Sequence, residues 1–509
     1  VILPLVFPTV VHMLVDAAVR NPSGEALVCG DERLDYAGYL AAVAGLAAEL
    51  EVYRGQRIVL LLGNSIDIAV ATLAVQAAGA QVVPLNPAYT AHELRPILAD
   101  ADPALVLHGV EVAATVLPVA GELGIANTIA VGPGARRLLG GHGALPALPD
   151  PDSLSTLQYT GGTTGRSKGV ELSHRAVAIN VSQREALLPT EPEAERVLAI
   201  TPLFHVYATA MCLYLALYCR STLVILPRYH PKLVLDAIVQ QRITLFSGSP
   251  TIFNGLMGYE GFAQTDFSSL RLCYSGASAL PPEIMRRWEA ATGATVCEGF
   301  GQTETGPVLA FNPRSGERKA GSVGVAVPGT EIGIVDVATG LYPLLTGEQG
   351  EVRARGPALM RGYRNLPEQT AEALRDGWLH TGDIGWIDAD GYLHICDRKK
   401  DMVVVSGFNV YPREVEDALL MHPDVGEAAV FGVPDPHKGE ALHAVVVPRG
   451  TARLTAENLA AHLAGLLARY KVPQHFAWSD MLPKTVVGKI DKQALRRSSP
   501  SPAGGRGPG

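Results

Sequence analysis

The sequence predicts an α/β protein with a large N-terminal domain of parallel sheets and a small C-terminal α+β domain. Three observations predict it. Short β-rich runs alternate with helix-patterned segments through the first part of the chain, the order that builds parallel sheets covered on both faces. After about Gly321 the texture changes to short strands and turns, and from Asp401 it changes again to a short alternation of helix and strand. At 509 residues the chain also exceeds what one hydrophobic core serves, so two or more domains are expected.

Taken in order, the apolar start "VILPLVFPTVVHMLVDAAV" runs into an amphipathic helix pattern that ends near Arg20. "RIVLLLG" at Arg57, "AQVVPLN" at Ala80 and "ALVLHG" at Ala104 read as buried strands, and "SIDIAVATLAVQAAG" from Ser65 as a helix between the first two. "STLVILP" at Ser221, "ITLFSGSP" at Ile243 and "RLCYSGAS" at Arg271 continue the strand series. "TEIGIVD", "GEVRARG" and "GYLHICD" are the short strands of the changed texture. Beyond them "EVEDALLMHPDV" reads as a helix, "EAAVFGVPD" and "LHAVVVPRG" as strands, and "AENLAAHLAGLLARY" as a helix. The junction "DRKKDM" at Asp397 separates the last short strand from this unit. The expected domains are therefore 1–397 and 398–497, with a disordered Ser/Pro/Gly tail over 498–509.

Composition excludes several function classes. Net charge is -8, from 42 basic and 50 acidic residues with no long run of one sign, so no nucleic-acid partner is expected. The six cysteines, Cys29, Cys212, Cys219, Cys273, Cys297 and Cys396, are scattered without a CxxC pair. Free thiols in a reducing cytosol, hence a cytoplasmic location, are expected for so long a chain. The apolar start lacks a basic n-region and carries Pro4 and Pro8, so no signal peptide is expected, and no apolar run suggests a transmembrane segment.

The chemistry begins at "LQYTGGTTGRSKGVELSH", Leu157 to His174. Glycines let backbone N–H groups approach an anion, threonine hydroxyls add donors, and Lys168 adds a point charge. Together these suit a polyphosphate. The GxxxxGK[ST] loop is not matched, because Ser167 precedes the lysine, and "GFGQTE" at Gly299 breaks the dinucleotide pattern at its last position.

The stretch resembles the phosphate loop of the adenylate-forming superfamily, which includes acyl-CoA synthetases, aryl-CoA ligases, luciferases and peptide-synthetase adenylation domains. Further resemblances follow in that family's order: "PLFHVYA" at Pro202, "SGASAL" at Ser275, "EGFGQTETG" at Glu298, "GWLHTGD" at Gly377, "DRKKDM" at Asp397, "SGFNVYPREVE" at Ser406 and "PKTVVGKI" at Pro483. The resemblance implies a distorted β-barrel-like subdomain beside the parallel sheets and a C-terminal domain that is mobile. It implies ATP, Mg²⁺ and coenzyme A as cofactor and co-substrates. A carboxylate is a poor acyl donor; attack on the α-phosphate of ATP gives an acyl-adenylate, from which AMP leaves readily.

The resemblance assigns residues to these steps. Thr160, Gly162, Thr163, Thr164, Gly165 and Lys168 would hold the outer phosphates. Glu304 would carry the metal, and Thr303 would touch the α-phosphate. Gly276, Ala277, Ser278 and Gly299 would bind cofactor, Phe300, where the family usually has tyrosine, would stack on adenine, and Glu298 would accept from its amino group. Asp383 and Arg398 would take the ribose. Lys489 would bridge carboxylate and α-phosphate, then leave by rotation about a hinge at Lys400 so that Gly407 lines the thiol channel. The sequence departs from the family at Gly161, where serine is common, at Ser167, where proline is common, and at Lys438, where an aromatic residue can meet the CoA nucleotide.

The acyl pocket would be lined by "FHVYATAMCLYL", "SGSPTIF" and "SGASAL". Apart from His205 these segments carry no ionisable charge, so an apolar acid is expected, and Gly248 and Gly276 are where a tunnel could open. His205 is placed with the catalytic residues, as a gate for the carboxylate or as a packed side chain. The expected enzyme is a medium- or long-chain fatty-acid–CoA ligase. An aryl-CoA ligase and an acyl-AMP ligase loading a separate carrier protein are the alternatives, with a luciferase-like oxygenase and a nucleotide-binding relic further off. The oligomeric state is left open, a homodimer included.

Overall fold

A computed structural model describes residues 3–139, 143–160, 167–405, 408–435, 439–450, 454–485 and 489–498. The chain divides into two compact units. The first comprises residues 1–280, 286–332 and 354–380, and the second 281–285, 333–353 and 381–509.

In the first unit the β-branched runs form two sheets. One has seven strands in the order Gly362–Tyr363, Lys168–Ser173, Leu154–Thr160, Gln81–Pro84, Arg57–Leu61, Leu105–Gly109 and Thr128–Val131. Its last five are parallel and its first two pairings antiparallel. The other has nine strands, with a parallel centre running through Glu25–Cys29, Thr222–Ile225, Arg196–Ala199, Leu245–Gly248, Leu272–Ser275 and Thr295–Gly301. Strand alternation sorts the side chains: Ile58 and Leu60 enter the core shared by the two sheets, while Val59 and Leu61 face the helices Ala91–Ala101 and Ala113–Glu122. Helix Ile66–Ala77 is buried along its whole length and mostly apolar, its Asp67 paired with Arg137 and its Gln76 donating to Ser155 and Tyr214 hydroxyls. Ser65 caps it by accepting from Ile68 N–H.

A second anchor of this unit is aromatic. Trp288 packs edge-on to Phe253 at 4.9 Å between ring centroids, with Phe246, Phe262 and Phe267 around it. Phe246 lies on the strand Leu245–Gly248, whose neighbour Leu272–Ser275 carries the Gly276 turn. The cluster therefore fixes the strand ends from which the candidate site projects.

The second unit starts with antiparallel strands. Glu331–Val335, Gly350–Arg355, Trp378–Ile387 and Leu393–Arg398 lie mostly within it and pair in that order, forming the expected barrel-like part. The α+β part follows. Its sheet runs Phe408–Val410, Val403–Val405, Gly439–Pro448, Val425–Asp435, with His475–Trp478 added in parallel to Gly439–Pro448. Val415, Leu419, Leu459 and Leu463, from the helices Pro412–Leu420 and Ala456–Ala464, fill one face. Leu482 and Leu495 cover Phe431 and Val445 on the other. The second helix stops at Ala464, shorter than its pattern, because Gly465 closes it and a tight turn at Arg469–Lys471 follows.

Trp288→Ala should destabilise the first unit by about 3–5 kcal/mol, the cost of emptying a large buried aromatic site. Thermal unfolding followed by near-ultraviolet circular dichroism measures it. An unchanged melting profile would show that the aromatic cluster does not anchor these strand ends.

Candidate active site

In the first unit, adjacent parallel strands end together. Ser275 pairs in register with Glu298, so the turn Gly276–Leu280 and the segment Glu298–Phe300 emerge side by side at the carboxyl ends, where open α/β sheets bind ligands. Ala277 sits at φ +68°, a strained conformation for a residue with a Cβ and one that concentrates at functional turns. Glu298 is 4% exposed, and its Oε1 accepts the Leu280 N–H at 2.7 Å. That hydrogen bond shapes the turn, so one carboxylate oxygen of Glu298 is committed to the protein. Gly299 is required by close approach: a Cβ there would lie 2.3 Å from the Phe311 ring. Phe300 follows on the same strand, half-buried, opposite Ala310.

The same segment runs on to Thr303 and Glu304 in a tight helical turn, with Thr303 buried. Glu304 Oε1 accepts the Tyr363 hydroxyl at 2.9 Å. The Tyr363 ring faces the Lys168 ammonium, 4.6 Å from ring centre to Nζ. Burial and the Glu304 carboxylate raise the Tyr363 hydroxyl well above the usual phenol range, so it stays protonated and donates. Thr160 and Lys168 are paired ends of an antiparallel hairpin, which brings the two ends of the glycine-rich stretch together. Gly162, Thr163, Thr164 and Gly165 lie outside the described residues.

Tyr363 was not singled out by the sequence, because "MRGYRN" shows only a tyrosine in a turn-rich region. Its position comes from backbone pairing. Met360 N–H donates to Glu304 O, and Arg361 and Arg364 N–H donate to Glu171 O and Gly169 O, all at 2.8–2.9 Å.

No group of three or more His, Cys, Asp or Glu residues among the described residues could hold a metal by itself. Glu304 Oε2 has no protein partner among them. A carboxylate oxygen left over beside Tyr363 and Lys168 fits magnesium, which takes few protein ligands and completes its shell with water and other oxygen donors.

His205 caps the short helix Val206–Ala208, its Nδ1 accepting the Tyr207 N–H at 3.2 Å, which leaves the ring proton on Nε2. The Tyr207 ring lies across Gly276, where a Cβ would stand 2.8 Å from it, and its hydroxyl donates to Tyr274 O at 3.3 Å. Gly248 faces Phe246 and Ile252 at 3.1–3.5 Å. Both glycines expected to open a tunnel are thus met by packed side chains. The cavity beside this helix, bounded by Thr156, Gln158, Val206, Thr209 and Tyr214, measures about 20 Å³, room for one water.

The second unit holds the other predicted residues. Asp383 and Arg398 are paired across two antiparallel strands, and the Arg398 guanidinium binds the Asp383 carboxylate at 3.0 Å. Asp383 is 3% exposed; the Arg398 side chain is 46% exposed and presents its far edge outward. Lys489 is held by a small hairpin, with Thr485 N–H donating to Lys489 O at 2.7 Å and an isolated bridge between Lys484 and Ile490. Partial burial, then the neighbouring Arg398, push the Lys489 ammonium down to about 8, opposed by Asp383 and assisted by Lys400. Lys400 is exposed and is itself lowered by desolvation, with Asp401 opposing. Arg496, on the last helix, reaches Asp401 at 3.4 Å. Gly407 and Lys438 lie outside the described residues.

The lowered Lys489 can be measured without any substrate. Competitive trace acetylation across pH should give it a midpoint near 8, about two units below a free lysine. Arg398→Met removes a neighbouring positive charge and should raise that midpoint. A Lys489 midpoint equal to that of exposed lysines would contradict the described environment.

Comparison with known proteins agrees with this geometry. The pattern of the AMP-binding enzyme family matches residues 14–364, and that of the AMP-binding enzyme C-terminal domain matches residues 414–489. The chain is 35% identical to a long-chain-fatty-acid–CoA ligase of Bacillus subtilis (strain 168), over 97% of this chain and 95% of that protein. It is 37% identical to a feruloyl-CoA synthase of Amycolatopsis sp, over 94% and 97%. Among solved structures, ATP-bound MatB from Rhodopseudomonas palustris superposes with a TM-score of 0.90 at 32% identity, covering 96% of this chain and 98% of that one. No described helix is long and apolar enough to cross a membrane. With both family patterns matched and relatives above 30% identity over nearly the whole of both chains, the chain belongs to the AMP-binding enzyme family, the adenylate-forming superfamily of acyl-CoA synthetases.

Proposed function

We propose that this chain is an AMP-forming acid–thiol ligase. It joins a carboxylic acid to ATP as acyl-AMP with release of pyrophosphate, then transfers the acyl group to the thiol of CoA with release of AMP. The observation that carries the reading is the meeting of Lys168 and Glu304 on one tyrosine, a cation and a carboxylate at the mouth of a glycine-rich hairpin.

In this reading the protein's residues divide the work. Lys168 and the threonines of the hairpin hold the outer phosphates. Glu298 keeps the Gly276–Leu280 turn in shape, and Phe300 offers its ring to the adenine. Asp383, oriented by Arg398, accepts from the ribose hydroxyls. Lys489, protonated below about 8, bridges the acid and the α-phosphate as charge builds there. Magnesium on Glu304 would neutralise phosphate oxygens and stabilise the leaving pyrophosphate.

The boundary at Asp397/Arg398 and a hinge at Lys400 belong to the same proposal. Lys400 is exposed and lies in a turn closed by Asp401 and Met402 N–H donating to Arg398 O, between the ion pairs Arg398–Asp383 and Arg496–Asp401, an element-terminal position of the kind that serves as a hinge. The proposal sets the reaction in the cytoplasm. All six cysteines are unpaired, as a reducing compartment keeps them.

The acid we propose is a medium- or long-chain fatty acid, supported by the apolar walls and by the Bacillus subtilis relative. A second reading, an aromatic acid, is favoured by one observation. The Tyr207 ring stands close against Gly276, where a Cβ would meet it at 2.8 Å, so a long chain would have to displace side chains to enter there.

Lys489→Ala separates the half-reactions. Adenylate formation should fall about a hundredfold or more, the order seen when one charge-stabilising donor is removed. Thioester formation from supplied acyl-AMP should stay within a few-fold of the wild type. An equal loss in both would contradict the role given to Lys489.

A further inference from the structure

Lys168 and Glu304 carry opposite charges at neighbouring points of the candidate phosphate site. A direct ion pair would cancel the two groups that an incoming metal–phosphate complex needs. Among the described residues they form none. Tyr363 stands between them, giving its ring face to the ammonium and its hydroxyl to Glu304 Oε1.

We propose that Tyr363 is a positioning residue for magnesium–ATP, whose hydroxyl aims the Glu304 carboxylate and whose ring seats Lys168. The inference rests on the reading above and deepens it. A neutral partner on each side leaves both groups their charge, so the ammonium and the second carboxylate oxygen stay available to a metal–phosphate complex while the tyrosine holds its place. The hydroxyl takes one carboxylate oxygen and leaves Oε2 for a cation. The ring gives the lysine a place to rest without a counter-charge.

The backbone explains why a tyrosine here can do this. Gly362–Tyr363 pairs with the strand that begins at Lys168, in the register Tyr363↔Val170. Tyr363 N–H donates to Thr370 Oγ1 at 2.9 Å, which fixes the residue from its other side. Met360 N–H donates to Glu304 O, so the turn bearing the carboxylate is tied to the strand bearing the tyrosine. Gly362 is needed for this packing, since a Cβ there would meet Thr370 at 2.8 Å. The result is one tyrosine, held on two sides, that contacts both the Glu304 carboxylate and the Lys168 ammonium.

Two variants of the full chain separate the two contacts. Tyr363→Phe keeps the ring and removes the hydroxyl; Tyr363→Leu removes both. ATP binding is measured by titration calorimetry in the absence of acid, with magnesium and with EDTA, and the magnesium dependence of adenylate formation is measured beside it. For Tyr363→Phe we expect the half-saturating magnesium concentration to rise about ten- to a hundredfold, the size of one hydrogen bond to a charged group. Its rate at saturating magnesium and its ATP affinity in EDTA should stay within twofold of the wild type. Tyr363→Leu should show the same magnesium shift and also lose several-fold in ATP affinity in EDTA. In an E304Q background the magnesium effect of Tyr363→Phe should disappear.

An unchanged magnesium dependence in Tyr363→Phe would overturn the proposal, as would a fall in maximal rate without a magnesium shift. Equal ATP affinity in EDTA for the two variants would overturn the role of the ring. Failure of the wild type itself to bind magnesium–ATP would overturn the functional reading and this inference with it. A wild type that binds normally beside a Tyr363→Phe variant that behaves identically would overturn this inference alone.

Discussion

Lys489 is held half-buried beside Arg398, with the Asp383 carboxylate already engaged by that arginine. The rest of the account depends on this constraint. An enzyme that joins a carboxylate to a phosphate must bring anions together, and it needs cations that its own carboxylates have not neutralised. Desolvation and a like-charged neighbour make the Lys489 ammonium costly in the empty protein, and an anionic ligand relieves that cost. The first unit meets the requirement differently. There a tyrosine separates lysine from glutamate, so both charges stay available.

The scaffold serves these charges by placing chain ends rather than by enclosing them. The turn Gly276–Leu280 and the segment Glu298–Glu304 issue from neighbouring parallel strands, and the Glu298 carboxylate fixes the first to the second. The hairpin of the glycine-rich stretch is closed by the pairing of Thr160 with Lys168. Lys489 sits on a small hairpin of its own, just before the helix Lys492–Ser498 that packs Leu495 against Phe431. Arg496 on that helix ties it to Asp401. Each reactive side chain is thus one or two residues from a backbone hydrogen bond that sets its direction.

Much of this was legible in the sequence where the determinant is local. The alternation of strand and helix runs gave the parallel sheets, and Ser65 marked the start of the buried helix Ile66–Ala77. The order of motifs points to Asp383, Arg398, Glu304 and Lys489 as the residues of the proposed site. What the sequence left open depends on contacts between distant residues. Nothing in "MRGY" announces that Tyr363 will meet Glu304 and Lys168, since strand pairing alone brings them together. Glu298 looked free to serve adenine, yet one of its oxygens holds the Leu280 N–H. Gly248 and Gly276 looked like openings, because composition shows a missing side chain but not the Tyr207 and Phe246 rings that fill the space. His205, left between gate and packing, turned out to cap its own helix through Nδ1.

The central claim is that these separated charges activate an apolar acid with ATP. Its most direct test is release of AMP and pyrophosphate from magnesium–ATP by the wild-type protein, with fatty and aromatic acids in one panel, each with and without CoA. The account predicts release that depends on the acid and rises to steady turnover when CoA is present, with the favoured class naming the substrate. Release that ignores the acid, or none with any member of either class, would contradict it.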